Sequence, residues 1–177
     1  MNTVTVELIL NGKKIGPIDV AQGTMMIQFL HEYLNLTGTK FGCGAGICHA
    51  CVILEKTKTG HVTHRTCIKG VGAFNGMNLM TIEGHANIDV KTEALVLHPV
   101  QQAFIDHFSF QCGWCTSGFV NEAIGYYESL KQQPVVQSEL RAALEHHLGT
   151  HVCRCTGYVK YYQAMENLIL SQPELIR

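Results

Sequence analysis

The chain has 177 residues, 46% of them hydrophobic, and a formal charge of −1. That length buries one or two modest cores, which predicts two small domains, and it is short for an enzyme that holds a large organic cofactor alone. The 13 Lys and Arg residues are scattered, which excludes the electrostatic footprint of a nucleic-acid or anionic-membrane binder and leaves a protein as the expected partner.

Residues 3–10 (TVTVELIL) place Val4, Val6, Leu8 and Leu10 at alternate positions, the period of a half-buried strand. Asn11-Gly12 reads as a tight hairpin turn into a second strand near Lys14–Val20. Thr24 is placed to cap a helix over Met25–Leu34, with Gly38 as its stop. After a cysteine-rich loop at 40–51 come strand-like CVILEK (51–56), a turn around Thr57–Gly60 and strand-like NLMTIEG (78–84). Beyond Gly84 the period changes. His85–Thr92 reads as a linker, and helices are expected over about 94–109, 116–132, 138–148 and 156–170, with Pro99 in the first turn of the first. No stretch approaches the roughly 18 apolar residues of a membrane-spanning helix. Met1–Asn11 lacks the basic start and small-residue cleavage site of an export signal. The chain read alone is therefore expected in the cytoplasm, with the periplasm as the alternative if a signal-bearing partner carries it out folded.

All eight cysteines fall into two sets of four, Cys43, Cys48, Cys51 and Cys67, then Cys112, Cys115, Cys153 and Cys155. Without an export signal, metal binding takes precedence over disulfides. In the first set, Cys-x4-Cys-x2-Cys followed by a distant Cys is the spacing that holds a plant-type [2Fe–2S] cluster. Gly42, Gly44 and Gly46 let that loop turn sharply and point N–H groups at sulfur, offsetting a cluster and thiolate charge of about −2. A four-cysteine zinc site would show two short Cys pairs instead of three cysteines in one run. GCGAG does not link a strand to a helix as a phosphate-cradling loop does. Neither Cys48–Cys51 nor Cys112–Cys115 is followed by the His of a haem attachment site. His49 has no cysteine two positions before it, so it does not suggest a Rieske ligand pair and reads as a loop residue.

The second set opens two expected helices, through QCGWC (111–115) and VCRCTG (152–157). Helix N-termini favour anions, so opposed N-termini can face one negatively charged cluster. A CxxC alone could be a redox dithiol or half a zinc site, whereas CxxC joined to CxC is rarer. Two one-electron centres in one small protein make a wire, which implies a donor and an acceptor elsewhere.

In GCGAGICHAC (42–51), TIEG (81–84), LHPVQQAFIDH (97–107), QCGWCTSGF (111–119) and CRCTGY (153–158), the chain resembles the iron–sulfur subunits and domains of the xanthine oxidase, or molybdenum hydroxylase, family. The resemblance implies an α+β architecture, with a β-grasp ferredoxin-like domain over residues 1–85 and a four-helix domain over 86–177, each holding a [2Fe–2S] cluster. It also implies a large partner subunit carrying molybdenum on a molybdopterin dinucleotide. Cys43, Cys48, Cys51 and Cys67 match the ligands of the ferredoxin-like cluster. Cys112, Cys115, Cys153 and Cys155 match those of the helical-domain cluster, and Gln111 and Cys155 match positions that contact the pterin. The sequence departs from the family at His49, usually Gly; Trp114, usually Phe or Tyr; Ser117, commonly Pro; and His151-Val152, commonly Asn-Leu or Asn-Ile.

By resemblance, substrate is oxidised on the partner and electrons pass singly through the helical-domain cluster, then the ferredoxin-like cluster, to a flavin subunit, a cytochrome c subunit or domain, or a soluble carrier. An aldehyde is the first expectation for substrate and an N-heterocycle such as a purine, nicotinate or isoquinoline the second. A stand-alone ferredoxin carrier would need neither Gln111 nor a second domain. A structural zinc protein would hold no labile sulfide. The remaining histidines show no ligand spacing, read as surface or packing residues, and are assigned no function.

Overall fold

The computed structural model describes residues 2–177; Met1, the start of the segment read for an export signal, lies outside them. β1 (Thr3–Leu10) buries Val6, Leu8 and Leu10 and exposes the residues between, as the alternation predicts. Asn11 and Gly12 both take positive φ (52° and 76°), and this primed turn matches strand twist and returns the chain as β2 (Lys13–Ala21). β3 (Val52–Thr57), β4 (Gly60–Arg65) and β5 (Asn78–Met80) complete a mixed sheet in the order β2-β1-β5-β3-β4, in which only β1 and β5 run parallel. This is the expected ferredoxin-like half of an α+β chain.

Several local expectations are corrected. The helix after β2, α1, is only Met26–Gln28, continuing as a wider π-type turn over Phe29–Tyr33. Thr24 does not cap it, because its hydroxyl donates back to the Ala21 carbonyl at 2.8 Å. The Gln28 side chain instead accepts from the Met25 N–H at 3.0 Å. The helix ends as Asn35 adopts φ 54°, and Gly38 comes later, its N–H held by Glu83. NLMTIEG is strand only to Met80, then a 3₁₀ turn over Ile82–Gly84. The linker opens a small hairpin of β6 (Asn87–Ile88) and β7 (Leu95–Val96), the second strand occupying the start of the helix expected from about 94, closed by a turn in which Asp89 accepts from the Lys91 and Thr92 N–H groups.

The four expected helices follow as α2 (Pro99–Asp106), α3 (Thr116–Leu130), α4 (Leu140–Leu148) and α5 (Val159–Leu170). His98 caps α2, its ring nitrogen accepting from the Val100 N–H. No helix among the described residues is long and apolar enough to cross a membrane.

Two cores share one strand. Ile53 joins Val6, Leu10, Phe29, Phe74 and Leu79 beneath the sheet, while its neighbour Leu54 points the other way, among Phe104, Phe119, Ala123 and Leu144 of the helices. Successive strand residues face opposite sides, so the apolar run Val52-Ile53-Leu54 is explained by a strand covered on both faces. α3 lies across β3 and β4, with a glycine at each of two close approaches. A Cβ on Gly125 would sit 3.2 Å from the Leu54 side chain, and one on Gly118 would sit 2.1 Å from the His49 carbonyl oxygen.

Candidate metal centres

The first loop builds an anion hole before any metal is considered. The N–H groups of Ala45, Ile47 and Cys48 all point at the Cys43 Sγ, at 3.3, 3.3 and 3.4 Å. Gly44 and Gly46 make this wrap possible, with φ of 66° and 70°. Those amide donors, with Cys48 the strongest, lower the Cys43 thiol to about 6. Cys67, at the far end of the set, is buried against Cys51 and Ile27, and burial pushes its thiol up to about 11. A Cβ on Gly42 would come within 2.8 Å of the Cys48 Sγ, so the loop leaves no room for a side chain there.

The second set is assembled from two loops. Cys115 stands at the position just before α3, which places its sulfur at the helix N-terminus. Cys153 and Cys155 precede α5 by a turn in which Gly157 and Tyr158 take φ of 61° and 66°, so this pair does not stand directly on the helix end. The Cys155 and Cys112 sulfurs lie 3.5 Å apart. Cys115 sits beside Cys153 and the Tyr161 hydroxyl, 3.2 Å away, and burial raises its thiol to about 11. Cys43, Cys112 and Cys155 are exposed while Cys51, Cys67 and Cys115 are buried, so each set reaches from core to surface. None of the eight is joined to another in a disulfide. Two groups of converging sulfurs, one ringed by amide donors, suit a sulfur-ligated anionic cluster in each place. Gln111, beside Cys112, is exposed.

The two cradles touch. The Val152 N–H donates to the Cys48 carbonyl at 3.2 Å, joining one cysteine loop to the other. The Trp114 indole N–H donates to the Phe41 carbonyl at 2.9 Å, and the Lys40 ammonium lies 5.6 Å from the indole centre. A Phe or Tyr at 114 has no indole donor for that bond, so the departure at this position adds a link between the loops. Asn121 on α3 donates to the Val52 carbonyl at 2.7 Å and accepts from His85 at 2.9 Å.

Two other departures, His49 and His151, meet in one place. His49 is buried (4% exposed) and adopts φ 60°, a conformation that costs a residue with a Cβ about 1–2 kcal/mol. Its Nδ1 faces Glu122 Oε2 at 3.2 Å and the Thr150 hydroxyl at 3.1 Å. Arg65 Nε donates to its Nε2 at 3.0 Å. His151, 3% exposed, reaches the same Glu122 oxygen through Nε2, while its Nδ1 has no partner among the described residues. Burial alone would raise the Glu122 carboxyl, but the hydrogen bonds from His151 and His49 bring it below its ordinary value. His49 is in the loop its sequence position predicts, whereas nothing in the sequence around Glu122 marks that carboxylate as its partner. The available signal was the coincidence of departures at His49 and His151.

Residues 9–68 match the 2Fe-2S iron-sulfur cluster binding domain family, and residues 81–166 match the [2Fe-2S] binding domain family. The chain is 34% identical over 158 residues to aldehyde oxidase 2 of Rattus norvegicus, covering 86% of this chain and 11% of that protein. To xanthine dehydrogenase 1 of Arabidopsis thaliana it is likewise 34% identical over 158 residues, covering 85% of this chain and 11% of that one. It therefore spans about a ninth of the length of the curated relatives it matches. Among solved structures, quinoline 2-oxidoreductase from Pseudomonas putida 86 aligns with a TM-score of 0.77 and 27% identity over 98% of this chain and 93% of that one. The aldehyde oxidoreductase from Desulfovibrio desulfuricans ATCC 27774 aligns with a TM-score of 0.76 and 30% identity, over 98% of this chain and 18% of that one.

Proposed function

The chain belongs to the [2Fe–2S] family of the molybdenum hydroxylases, and from that premise we propose that it is an electron relay, taking electrons singly from a large molybdopterin-bearing partner and delivering them to an acceptor. The domains are residues 1–85 and 86–177. Cys43, Cys48, Cys51 and Cys67 hold the ferredoxin-like cluster, and Cys112, Cys115, Cys153 and Cys155 hold the helical-domain cluster. When bound there, the two clusters supply one-electron chemistry.

The observation that carries this reading is the direct contact between the two cysteine sets, through the Val152 N–H and the Cys48 carbonyl. It provides a short bonded route from one set of sulfurs to the other. The chain's own residues do the rest. Amide donors around Cys43 stabilise negative charge, and buried Cys51, Cys67 and Cys115 keep water from one side of each cradle. Gln111 and Cys155, both exposed, are the pterin-facing contacts. Around these loops Phe41, Ile47, Trp114, Val152 and Val159 are exposed, an apolar rim suited to a protein partner.

The substrate belongs to the partner. An aldehyde is favoured by the aldehyde oxidases among the relatives and the Desulfovibrio aldehyde oxidoreductase among the structures. A second reading, an N-heterocycle, is favoured by the quinoline 2-oxidoreductase chain, which this chain matches over 93% of its length. The acceptor is a flavin subunit, a cytochrome c subunit or domain, or a soluble carrier.

Cys155→Ser tests the relay in the co-purified complex. The expected result is loss or alteration of the helical-domain EPR signal and slowed substrate-linked reduction, with the ferredoxin-like signal intact. Unchanged signals and turnover would refute the ligand assignment.

A further inference from the structure

We propose that Glu122 is a positioning residue, clamping the two cysteine loops together through His49 and His151 and so fixing the distance between the two cradles. The inference rests on the relay reading, which gives that distance a purpose.

Ring protons follow from the partners. Arg65 Nε can only donate, so His49 Nε2 accepts and the ring proton sits on Nδ1, facing Glu122 Oε2 and Thr150. His151 Nε2 donates to the same oxygen, leaving its buried Nδ1 bare. One carboxylate oxygen on α3 thus receives an N–H from the residue next to Cys48 and another from the residue two before Cys153. The rings of His49 and His151 meet edge to face at 5.0 Å, and His151 packs on Phe119 at 4.9 Å. α3, firmly held on β3, becomes the post to which both loops are tied.

The three side chains are close enough together to suggest a metal site. Two features argue against it. Ligation through the His49 Nδ1 would push the ring proton onto Nε2, against the Arg65 N–H, and the Arg65 guanidinium on that far side of the ring adds a fixed positive charge close to any cation held there. The donor count is satisfied by hydrogen bonds, and the left-handed backbone at His49 is held by them.

Hydrogen bonding and charge can be separated at this position. The amide oxygen left by Glu122→Gln can accept both N–H groups, whereas the methyl left by Glu122→Ala accepts neither. The test compares Glu122→Gln, Glu122→Ala and His49→Gly in the cluster-loaded chain, the last because Gly adopts the His49 backbone without strain. Spin–spin interaction between the two reduced clusters is read by low-temperature EPR, and amide exchange at Val152 reads the loop contact independently of the clusters. Glu122→Ala and His49→Gly should change the interaction and speed Val152 exchange by about tenfold or more, while Glu122→Gln keeps both near wild type. Wild-type interaction and exchange in Glu122→Ala and His49→Gly overturn the clamp. Loss of a cluster in either variant also overturns it, because the residues would then serve cluster retention. Stoichiometric metal other than iron in the wild type, lost in Glu122→Gln, overturns it in favour of a metal site. A wild-type chain without two cluster signals refutes the relay reading itself, a separate result.

Discussion

Gly118→Ala is expected to destabilise the chain, although the same change in an unconstrained helix stabilises it. Gly118 lies in the first turn of α3, where alanine's helix propensity is worth up to about 1 kcal/mol. Its new Cβ would stand 2.1 Å from the His49 carbonyl oxygen, 2.8 Å from that of Ala50 and 2.9 Å from the Ala50 carbonyl carbon. All three atoms are backbone, so relief requires α3 and the first cysteine loop to part by about 1 Å, pulling on the Asn121 and Glu122 contacts. Overpacking of this kind costs about 1–3 kcal/mol. Taking the upper end for a backbone clash, and subtracting the propensity gain, leaves a net loss of about 2 kcal/mol. For a chain of this size that is a fall of roughly 4–8 °C in melting temperature. Gly125→Ala is the control in the same helix. Its Cβ would meet the flexible Leu54 side chain at 3.2 Å and the His61 Cβ at 3.7 Å, so a neutral to slightly stabilising change is expected. Thermal melts of both variants at one scan rate decide the matter. Equal melting temperatures for the two would refute the claim that α3 rests on the loop backbone at Gly118.

Three further outcomes are expected. Leu54→Ala should cost about 2–5 kcal/mol, because a fully buried side chain is removed from the helical core; melts check it, and a loss below about 1 kcal/mol would contradict the burial. Burial lowers His85 to about 4, so the unfolded chain takes up the proton first as pH falls, and stability present above the unfolded value of about 6.5 is lost on the way to pH 4. The loss is about 2 kcal/mol between pH 7.5 and 5, measured by denaturant unfolding, and His85→Gln should flatten it. In the cluster-free chain, iodoacetamide at pH 7 should modify Cys43 faster than Cys67 or Cys115, since one thiol is exposed and lowered to about 6 while the others are held at about 11. Peptide mass spectrometry gives the order.

The cysteine sets were legible because ligand spacing is local, and β1 because one buried face forces alternation. β4 was not. In GHVTHR the inward residue is His64, held by Glu55, while Val62 points to solvent, which inverts the hydrophobic signal of a strand. The two-residue strands β6 and β7 are exposed, so no burial pattern marks them. Thr24 looked like a cap, but its hydroxyl turned to the Ala21 carbonyl, a competition that local sequence does not resolve. The domain contact was the least legible feature. Glu122 lies 73 positions from His49 and 29 from His151, and only the packing of α3 on β3 brings the three together.

The central claim is that this chain holds two [2Fe–2S] clusters in contact with a molybdenum-bearing partner. The most direct measurement is the iron, zinc, molybdenum and acid-labile sulfide content of the anaerobically purified chain and of whatever co-purifies with it, with low-temperature EPR after reduction. The account predicts about four iron and four sulfide per chain, two distinct EPR signals and molybdenum in a co-purifying large chain. Zinc without labile sulfide would contradict it and make the eight cysteines structural.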